Sequence, residues 1–236
     1  NNCRFCVVAE ERKKFDNFSM DYLKKENIQK AIKNASELGA TSLLFIGGEP
    51  TLRRGIIDLV SYAKKFDFKR IGLTSNGTGF ESKEFSSKIV GAGLNRICLS
   101  IHGPNSEIHD KLTNRKGSFK ALIKSIKNIN TIKEKQSKWI EFNTLTVITK
   151  INLSEIKKLI LFLDRFHLNN ITLAYVIPQG NAKRNFDEIV PKISDVTKKL
   201  RNILAEVEIQ TSLALIGFPF CNLKGLEEYS CNYKRV

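Results

Sequence analysis

Two hydrophobic periods alternate along the chain. Short apolar runs rich in Val, Ile, Leu and Phe, bounded by Gly, Asn or Pro, are typical of buried strands. Longer stretches in which apolar residues recur every three to four positions are typical of helices packed on one face. The predicted strands are TSLLFI (41–46), RIGLTS (70–75), RICLSI (96–101), KWIEFNTLTVI (138–148) and NITLAYVI (170–177), the last being the last clear strand. The predicted helices cover about 27–39, 55–66, 82–92, 118–129, 154–166 and 187–208.

Short polar residues and a glycine predict where two of these helices begin or end. Asn27 and Ser118 are suited to cap a helix N-terminus, and Gly39 is suited to end the first helix. The residues predicted to face the core are Ile28, Ala31, Ile32, Ala35 and Leu38 in the first helix, Ile56, Leu59, Val60 and Ala63 in the second, Phe119, Leu122, Ile123, Ile126 and Ile129 in the fourth, and Ile156, Leu159, Ile160 and Leu163 in the fifth.

Strands that alternate with helices predict an α/β fold with a parallel sheet, because parallel neighbours require crossover connections. Periodicity alone leaves a barrel and a doubly wound sheet as alternatives. The turns GGEPT, NGTG, HGPN and PQGN follow four of the predicted strands. In either architecture the carboxyl ends of the strands carry the site, so we expect these turns to form a single binding floor. Since the chain begins with cysteines and a helix, we also expect a first strand upstream.

Composition narrows the class of protein. The 236-residue sequence contains no apolar run of the roughly 18 residues that a membrane helix needs. Its first residues also lack the charged-then-apolar pattern of a signal peptide. These features favour a cytoplasmic protein without a membrane partner. Five cysteines are an odd number, which fits metal-bound or free thiols better than a disulfide framework. The net charge of +15 leaves nucleic acid as an open partner, although lysines at helical spacing are more typical of solvated faces.

Each candidate motif is weak by itself. Cys3 and Cys6 in CRFC suit half a zinc site, a redox pair or part of an iron–sulfur site. GGEPT (47–51) follows a strand and suits either close approach to a ligand or an ordinary βα-loop. LTSNGT (73–78) and LSIHG (99–103) place short polar groups at strand ends, where they suit a ligand or a plain turn. Cys98 is expected to be a buried structural thiol, and His109 and His167 are expected to be structural.

Together, CRFC, GGEPT, TSNGT and LSIHGPNSEIHD resemble the radical S-adenosylmethionine superfamily in their order and spacing. The resemblance covers about residues 1–180. It is closest in style to the peptide-maturase branch with SPASM- or Twitch-type segments. It implies a partial (β/α)6 TIM-like barrel, a [4Fe-4S] cluster and S-adenosylmethionine. The hallmark Cys-x3-Cys-x2-Cys is matched from its second cysteine onward, and we expect the first cysteine two residues before Asn1.

The resemblance also implies roles for individual residues. Cys3 and Cys6 would ligate the cluster, and Phe5 matches the aromatic residue between them. The positions implied to bind S-adenosylmethionine are Gly47, Gly48, Glu49, Pro50, Ser75, Asn76, Ser100, Asn143, Tyr175, Val176 and Ile177. His102 is a weak candidate for an acid or a substrate contact, and a loop histidine is its alternative.

The function implied is reductive cleavage of S-adenosylmethionine and hydrogen abstraction from a peptide or another sizeable substrate, with flavodoxin or ferredoxin as reductant. An RNA-modifying or small-molecule enzyme, and a non-catalytic metal- or RNA-binding barrel, are the alternatives. We expect a barrel domain over 1–208 and an irregular extension over 209–236. Cys221 and Cys231 in that extension are candidate ligands for an auxiliary cluster.

Overall fold

The computed structural model describes residues 1–9, 23–135 and 139–230. The chain forms two compact units. The cysteine unit comprises Asn1–Glu10, Ile101–Lys120 and Asn143–Val236, and the glycine-turn unit comprises Glu11–Ser100 and Ala121–Phe142. Within the described residues, no helix is long and apolar enough to cross a membrane.

Strands and helices alternate along the described chain. The strands are β1 (Ser42–Phe45), β2 (Arg70–Ser75), β3 (Arg96–Ser100), β4 (Glu141–Ile148), β5 (Asn170–Tyr175) and β6 (Ser212–Ile216). The helices are α1 (Lys25–Glu37), α2 (Ile56–Ala63), α3 (Lys83–Gly91), α4 (Ser106–Thr113), α5 (Ser118–Lys135), α6 (Ile156–Leu163), α7 (Asn181–Arg184), α8 (Phe186–Ile189) and α9 (Ile193–Glu206). Short 3₁₀ turns cover Pro50–Leu52, Thr78–Glu81, Leu153–Glu155, Asp164–Phe166, Phe220–Asn222 and Glu227–Tyr229.

All the strand pairs within each unit are parallel. In the glycine-turn unit, β2 pairs with β1 on one side and with β3 on the other. In the cysteine unit, β5 pairs with β4 on one side and with β6 on the other. Parallel neighbours need crossover connections, and helices supply them here. The carboxyl ends of the strands within one unit therefore point the same way, and the turns that follow them carry the predicted site residues.

The helical periodicity predicts two buried faces correctly. The inward residues of α2 and α6 are all buried, with an exposed fraction of at most 3%: Ile56, Leu59, Val60, Ala63, Ile156, Leu159, Ile160 and Leu163. β2 also has the predicted bounds. In α2 and α6 the buried residues recur every three to four positions, so the hydrophobic period of each helix matches its burial.

The first helix differs from its prediction. It begins at Lys25 with Lys24 as its N-cap, so Asn27 lies inside it and caps nothing. Leu38 is 88% exposed, because it is the C-cap and no longer shares the face of the helix. Ala31, also predicted to face inward, is exposed, and Ile32 is the buried residue of this helix. Gly39 does end the helix region, with φ of +79°.

The N-terminus of α5 is capped by a distant acid and not by Ser118. The Asp110 carboxylate on α4 accepts hydrogen bonds from the Phe119 N–H (2.8 Å), the Ser118 Oγ (2.8 Å) and the Gly117 N–H (2.6 Å). Partial burial opposes the charge of this acid, but the three hydrogen bonds outweigh it and lower its pKa. An acidic side chain at a helix N-terminus also has the favourable sign for the helix dipole.

Burial of β1 is another difference. TSLLFI is predicted to be buried, yet Leu44 is 45% exposed and Ile46 is 71% exposed. Among the described residues β1 pairs with β2, so one of its edges has no described partner. An apolar run is therefore an incomplete guide to burial when a strand lies at the side of its unit.

A sixth strand lies beyond the predicted last strand. SLALI (212–216) forms β6 and pairs with β5 in a parallel register that places Asn170 opposite Ser212. Leu213 and Leu215 are buried. NITLAYVI is therefore not the last strand, and the segment after residue 208 is not wholly irregular. A run of four apolar residues is too short for periodicity to separate a strand from the start of a loop.

We expect Gly77→Ala to destabilise the protein by about 2 kcal/mol. Gly77 has φ of +88°, and a Cβ there would lie 2.7 Å from Cδ1 of the buried Leu122. Gly91→Ala is the matched control, since nothing lies within 4 Å of a Cβ at that helical position. It should be neutral or stabilising by up to about 1 kcal/mol. Urea unfolding measures both variants, and equal stabilities would contradict the steric argument.

Candidate functional site

The two cysteines at the front of the chain lie in one short loop of the cysteine unit. The Cys6 N–H donates to the Cys3 carbonyl at 3.2 Å, which closes a turn. The Arg4 N–H donates to the Leu112 carbonyl at the end of α4 at 2.9 Å. Both cysteines are half-buried, and neither is in a disulfide within the described residues. Thiolates in one ordered turn suit two irons of an iron–sulfur cluster. Within the described residues, no group of three or more potential metal ligands is assembled.

Phe5, between the cysteines, is buried against His102. Their ring centroids lie 4.6 Å apart in an edge-to-face arrangement. His102 in turn stacks on His109, with centroids 5.8 Å apart and ring planes at 14°. His102 is 3% exposed, and its Nδ1 accepts the Val147 N–H at 3.3 Å. His102 therefore supports the aromatic residue of the cysteine loop from a buried position.

Burial keeps both histidines neutral. It lowers the pKa of His102 well below its ordinary value, with a further contribution from His109. It also lowers the pKa of His109 to about 4. Nδ1 of His109 accepts the His102 N–H at 3.1 Å, while Nε2 has no hydrogen-bond partner among the described residues. Such a pair behaves as an aromatic packing unit, which is consistent with a structural His109.

The glycine-turn unit holds GGEPT in a defined shape around the Glu49 carboxylate. Oε1 accepts from the Thr51 N–H (3.2 Å), the Thr51 Oγ1 (2.7 Å) and the Ser75 Oγ (2.7 Å). Oε2 accepts from the Asn76 N–H at 2.7 Å. Gly47 has φ of +143°, a conformation that favours glycine, and both Gly47 and Gly48 are exposed. The structure thus brings Glu49, Ser75 and Asn76 together.

Ser75 and Asn76 also shape the turn that follows β2. The Ser75 Oγ accepts the Gly77 N–H at 3.0 Å. The Asn76 Oδ1 accepts from the Thr78 N–H (2.9 Å) and the Thr78 Oγ1 (2.6 Å). Ser75 and Asn76 therefore both stabilise the turn and contact Glu49.

The remaining predicted binding residues lie at strand ends or within strands. Ser100 ends β3 in the glycine-turn unit, whereas Asn143 is buried within β4. Tyr175 ends β5, and its hydroxyl donates to the Pro191 carbonyl at 2.7 Å. Val176 is fully buried and Ile177 is 53% exposed, so the backbone leaves the core at this point.

Of the other cysteines, Cys98 is a half-buried thiol in β3. Burial raises its pKa to about 11, which keeps it protonated and suits a structural role. Cys221 is exposed beside Asn222, and Cys231 lies outside the described residues. An auxiliary cluster on these last two cysteines stays a prediction.

One contact of the cysteine loop was missed by sequence reasoning. The PQGN turn after β5 contacts the loop through Gly180 and Asn181. The Pro and Gly of PQGN predict a turn. Because this turn follows a predicted strand, it is one of the turns expected to form the binding floor. Nothing local in PQGN indicates that its partner is a segment at the front of the chain.

The fold and the motifs have close counterparts among known proteins. The model of the Radical SAM superfamily matches residues 1–163. A probable GTP 3′,8-cyclase of Saccharolobus islandicus (strain M.14.25) is 31% identical over 208 residues, which cover 84% of this chain and 63% of that protein. A probable GTP 3′,8-cyclase of Sulfurisphaera tokodaii is 28% identical over 210 residues, which cover 89% of this chain and 63% of that protein. This chain therefore spans less than two thirds of these relatives.

Solved structures show the class of fold. Streptococcus suis SuiB bound to S-adenosylmethionine superposes with a TM-score of 0.72 and 17% identity over 96% of this chain and 49% of that chain. Native anSMEcpe with bound AdoMet superposes with a TM-score of 0.64 and 19% identity over 90% of this chain and 59% of that chain. The predicted α/β partial barrel with parallel strands is confirmed.

With more than half of the chain matched, this protein belongs to the radical S-adenosylmethionine superfamily. The superfamily consists of enzymes, and membership implies a [4Fe-4S] cluster and S-adenosylmethionine as cofactors. The half-buried thiol pair of Cys3 and Cys6 has the donor chemistry that such a cluster requires.

We expect stability to fall as the solution is acidified from pH 7 to 5. The folded pKa of His109 is about 4, below the value of about 6.5 for an unfolded histidine. The unfolded state therefore binds the extra proton first, and stability that is present above about pH 6.5 is lost on acidification. His109→Gln should reduce this loss by on the order of 2 kcal/mol.

Urea unfolding at pH 7 and pH 5 measures the loss. The control is His167→Asn, because His167 is exposed and has φ of +51°, a conformation that asparagine tolerates. This control should retain the pH dependence of the wild type. An equal loss in wild type and His109→Gln would show that His109 is not kept neutral by folding.

Proposed function

We propose that this protein reductively cleaves S-adenosylmethionine and uses the resulting radical to abstract hydrogen from a substrate. The observation that carries the proposal is the superfamily match over residues 1–163, which includes an ordered loop with two half-buried thiols. The match covers 63% of the length of the probable GTP 3′,8-cyclase of Saccharolobus islandicus, so the activity of the whole protein is proposed.

Cys3 and Cys6 are the proposed ligands for two irons of the cluster, and a cysteine upstream of Asn1 is the proposed third. When bound there, the cluster would supply the one-electron reduction that cleavage of S-adenosylmethionine requires. The loop is held by hydrogen bonds to α4, so the thiols are presented by an ordered backbone. Preorganised ligands need less ordering when the cluster binds.

The glycine turn is the proposed receptor of the amino group of S-adenosylmethionine. Both Glu49 oxygens already accept hydrogen bonds from Thr51, Ser75 or the Asn76 backbone. We therefore propose that Glu49 fixes the shape of the turn, and that the exposed backbone of Gly47 and Gly48 receives the amino group. Pro50 begins the 3₁₀ turn that follows and limits its freedom.

Other polar and apolar groups are proposed to hold the rest of the cofactor. Ser75, Asn76 and Ser100 have short side chains suited to its ribose and carboxylate, and Asn143 is a weaker candidate. The backbone of Tyr175, Val176 and Ile177 is the proposed surface for adenine. This backbone segment spans the end of β5, where the chain passes from the buried Val176 to the exposed Ile177.

Cys6→Ala should lower the formation of 5′-deoxyadenosine by at least about a hundredfold, because it removes one iron ligand. The measurement uses the full-length protein, reconstituted anaerobically with iron and sulfide and reduced with dithionite. Cys98→Ala is the matched control, since Cys98 lies within β3 and its raised pKa of about 11 keeps the thiol protonated. This control should keep wild-type activity. Full activity in Cys6→Ala would refute the ligand assignment, and an inactive wild type would refute the proposed function.

A purine nucleoside triphosphate is the proposed substrate. Relatives named probable GTP 3′,8-cyclase are about one third identical over most of this chain, at 31% over 84%. A net charge of +15 also favours an anionic substrate. A peptide is the second candidate substrate. SuiB, which shares this fold with a TM-score of 0.72 at 17% identity, is also known in a structure bound to the precursor peptide SuiA.

Isotope transfer separates these substrates. With GTP deuterated throughout its ribose, deuterium should appear in 5′-deoxyadenosine if the radical abstracts hydrogen from that nucleotide. Ribose-deuterated UTP is the control and should transfer none. Formation of 5′-deoxyadenosine without deuterium from GTP would refute the nucleotide and leave radical generation intact.

The proposed reductant is a low-potential protein such as flavodoxin or ferredoxin, and the proposed location is the cytoplasm. None of the four described cysteines is in a disulfide: Cys3, Cys6, Cys98 and Cys221. Free thiols are typical of a reducing compartment, which also suits a reduced iron–sulfur cluster.

A further inference from the structure

The backbone of the cysteine loop is held by a segment far along the chain. The side-chain amide of Asn181 donates to the Cys3 carbonyl at 2.8 Å, and its backbone N–H donates to the Cys6 carbonyl at 2.9 Å. The side-chain amide of Asn185 donates to the Arg4 carbonyl at 3.0 Å. Three carbonyl oxygens of a four-residue turn thus accept hydrogen bonds from two asparagines at the N-terminal ends of α7 and α8.

Gly180 lets these two segments approach each other. Its φ is +54° and its ψ is −125°, a conformation that only glycine adopts without strain. A Cβ at this position would lie 2.4 Å from the Cys6 carbonyl oxygen and 2.6 Å from the Val7 carbonyl oxygen. Both obstructing atoms belong to the backbone, so no side-chain rotation could relieve the contact. A residue larger than glycine would push the cysteine loop away.

An ion pair adds to the same contact. The Arg4 guanidinium, which lies between the two cysteines in sequence, pairs with the Glu188 carboxylate in α8. Both partners are partly exposed, so this pair contributes little by itself. The ion pair connects the cysteine loop to the same segment that the two asparagines contact.

We infer that Gly180, Asn181 and Asn185 form a clamp that sets the geometry of the cysteine loop before any metal binds. The clamp residues are positioning residues, since they act on the backbone of Cys3, Arg4 and Cys6 and not on the reacting atoms. Carbonyls held in this way fix the path of the turn, and the path of the turn fixes where its two thiols emerge. The inference deepens the proposed function, on which its catalytic meaning rests.

The clamp can be tested without metal by hydrogen–deuterium exchange. Asn185→Ala removes one hydrogen bond from the loop, worth on the order of 1 kcal/mol, so amides of residues 2–6 should exchange about five- to tenfold faster. Asn181→Ala should have a similar effect. Asn170→Ala is the matched control, because its side-chain amide donates to Thr172 Oγ1 in β5 and not to the loop. Exchange in the loop should not change in this control.

Cluster spectroscopy gives a second readout on the full-length protein. In reconstituted Asn181→Ala and Asn185→Ala, the electron paramagnetic resonance spectrum and the reduction potential of the cluster should shift from wild type. Asn170→Ala should match wild type in both. Gly180→Ala should have the largest effect and lower the iron content. A purely structural role would lower the melting temperature and leave the spectrum of the folded protein unchanged.

The outcomes separate the clamp from the proposed function. Faster exchange in the loop of both asparagine variants supports the clamp, even if the wild-type protein fails to cleave S-adenosylmethionine. Unchanged exchange and an unchanged spectrum in a folded Asn185→Ala would overturn it, even if cleavage is normal. Should Asn181→Ala fail to fold, Asn185→Ala still decides, because it removes only the hydrogen bond to Arg4.

Discussion

Polar groups that leave water must find hydrogen-bond partners, and this requirement shapes the turns that carry the candidate site. The Glu49 carboxylate accepts hydrogen bonds from Thr51 in the glycine turn and from Ser75 and Asn76 at the end of β2. The Asn152 amide donates to the carbonyls of His102 and Val147, both at 2.9 Å, where strands end in the cysteine unit. Asn181 does the same for the cysteine loop. At these turns, short polar side chains thus supply the hydrogen bonds that regular secondary structure supplies elsewhere.

This arrangement has a consequence for the cysteine loop, which contains no helix or strand of its own. Its position is defined by the end of α4 on one side and by the clamp on the other. Phe5 fills the space between these contacts and packs on His102. Because burial keeps His102 and His109 neutral, they add apolar contact beneath the loop and bring no positive charge to it.

Local pattern predicts those parts of the fold in which burial follows the period of one element. The inward faces of α2 and α6 and the bounds of β2 are of this kind. The pattern is misleading where a neighbour decides the outcome. Leu38 follows its helix in the hydrophobic period but lies beyond its last turn. Leu44 is exposed on β1, a strand at the side of its unit, while Leu43 and Phe45 are half-buried. β6 was missed because its burial depends on pairing with β5.

The candidate site shows the same division. CRFC, GGEPT, TSNGT and LSIHG indicate the superfamily in their order along the chain, and the family match agrees with them. The roles of individual residues in cofactor binding stay predictions, since they depend on a cofactor and on partners outside the described residues. What the structure adds is the set of internal contacts, such as those of Glu49, that limit which atoms remain for a ligand.

The sequence by itself determined the types of most elements, the parallel α/β class and the cysteine motif, because these depend on residue type and on spacing over a few turns. Only the tertiary structure decided that a glycine and two asparagines after β5 hold the loop of Cys3 and Cys6. Asn181 and Cys3 are 178 residues apart in sequence, so their hydrogen bond is a long-range contact. A contact of that kind leaves no local period in the sequence, since its donor and acceptor are ordinary turn residues until folding brings them together.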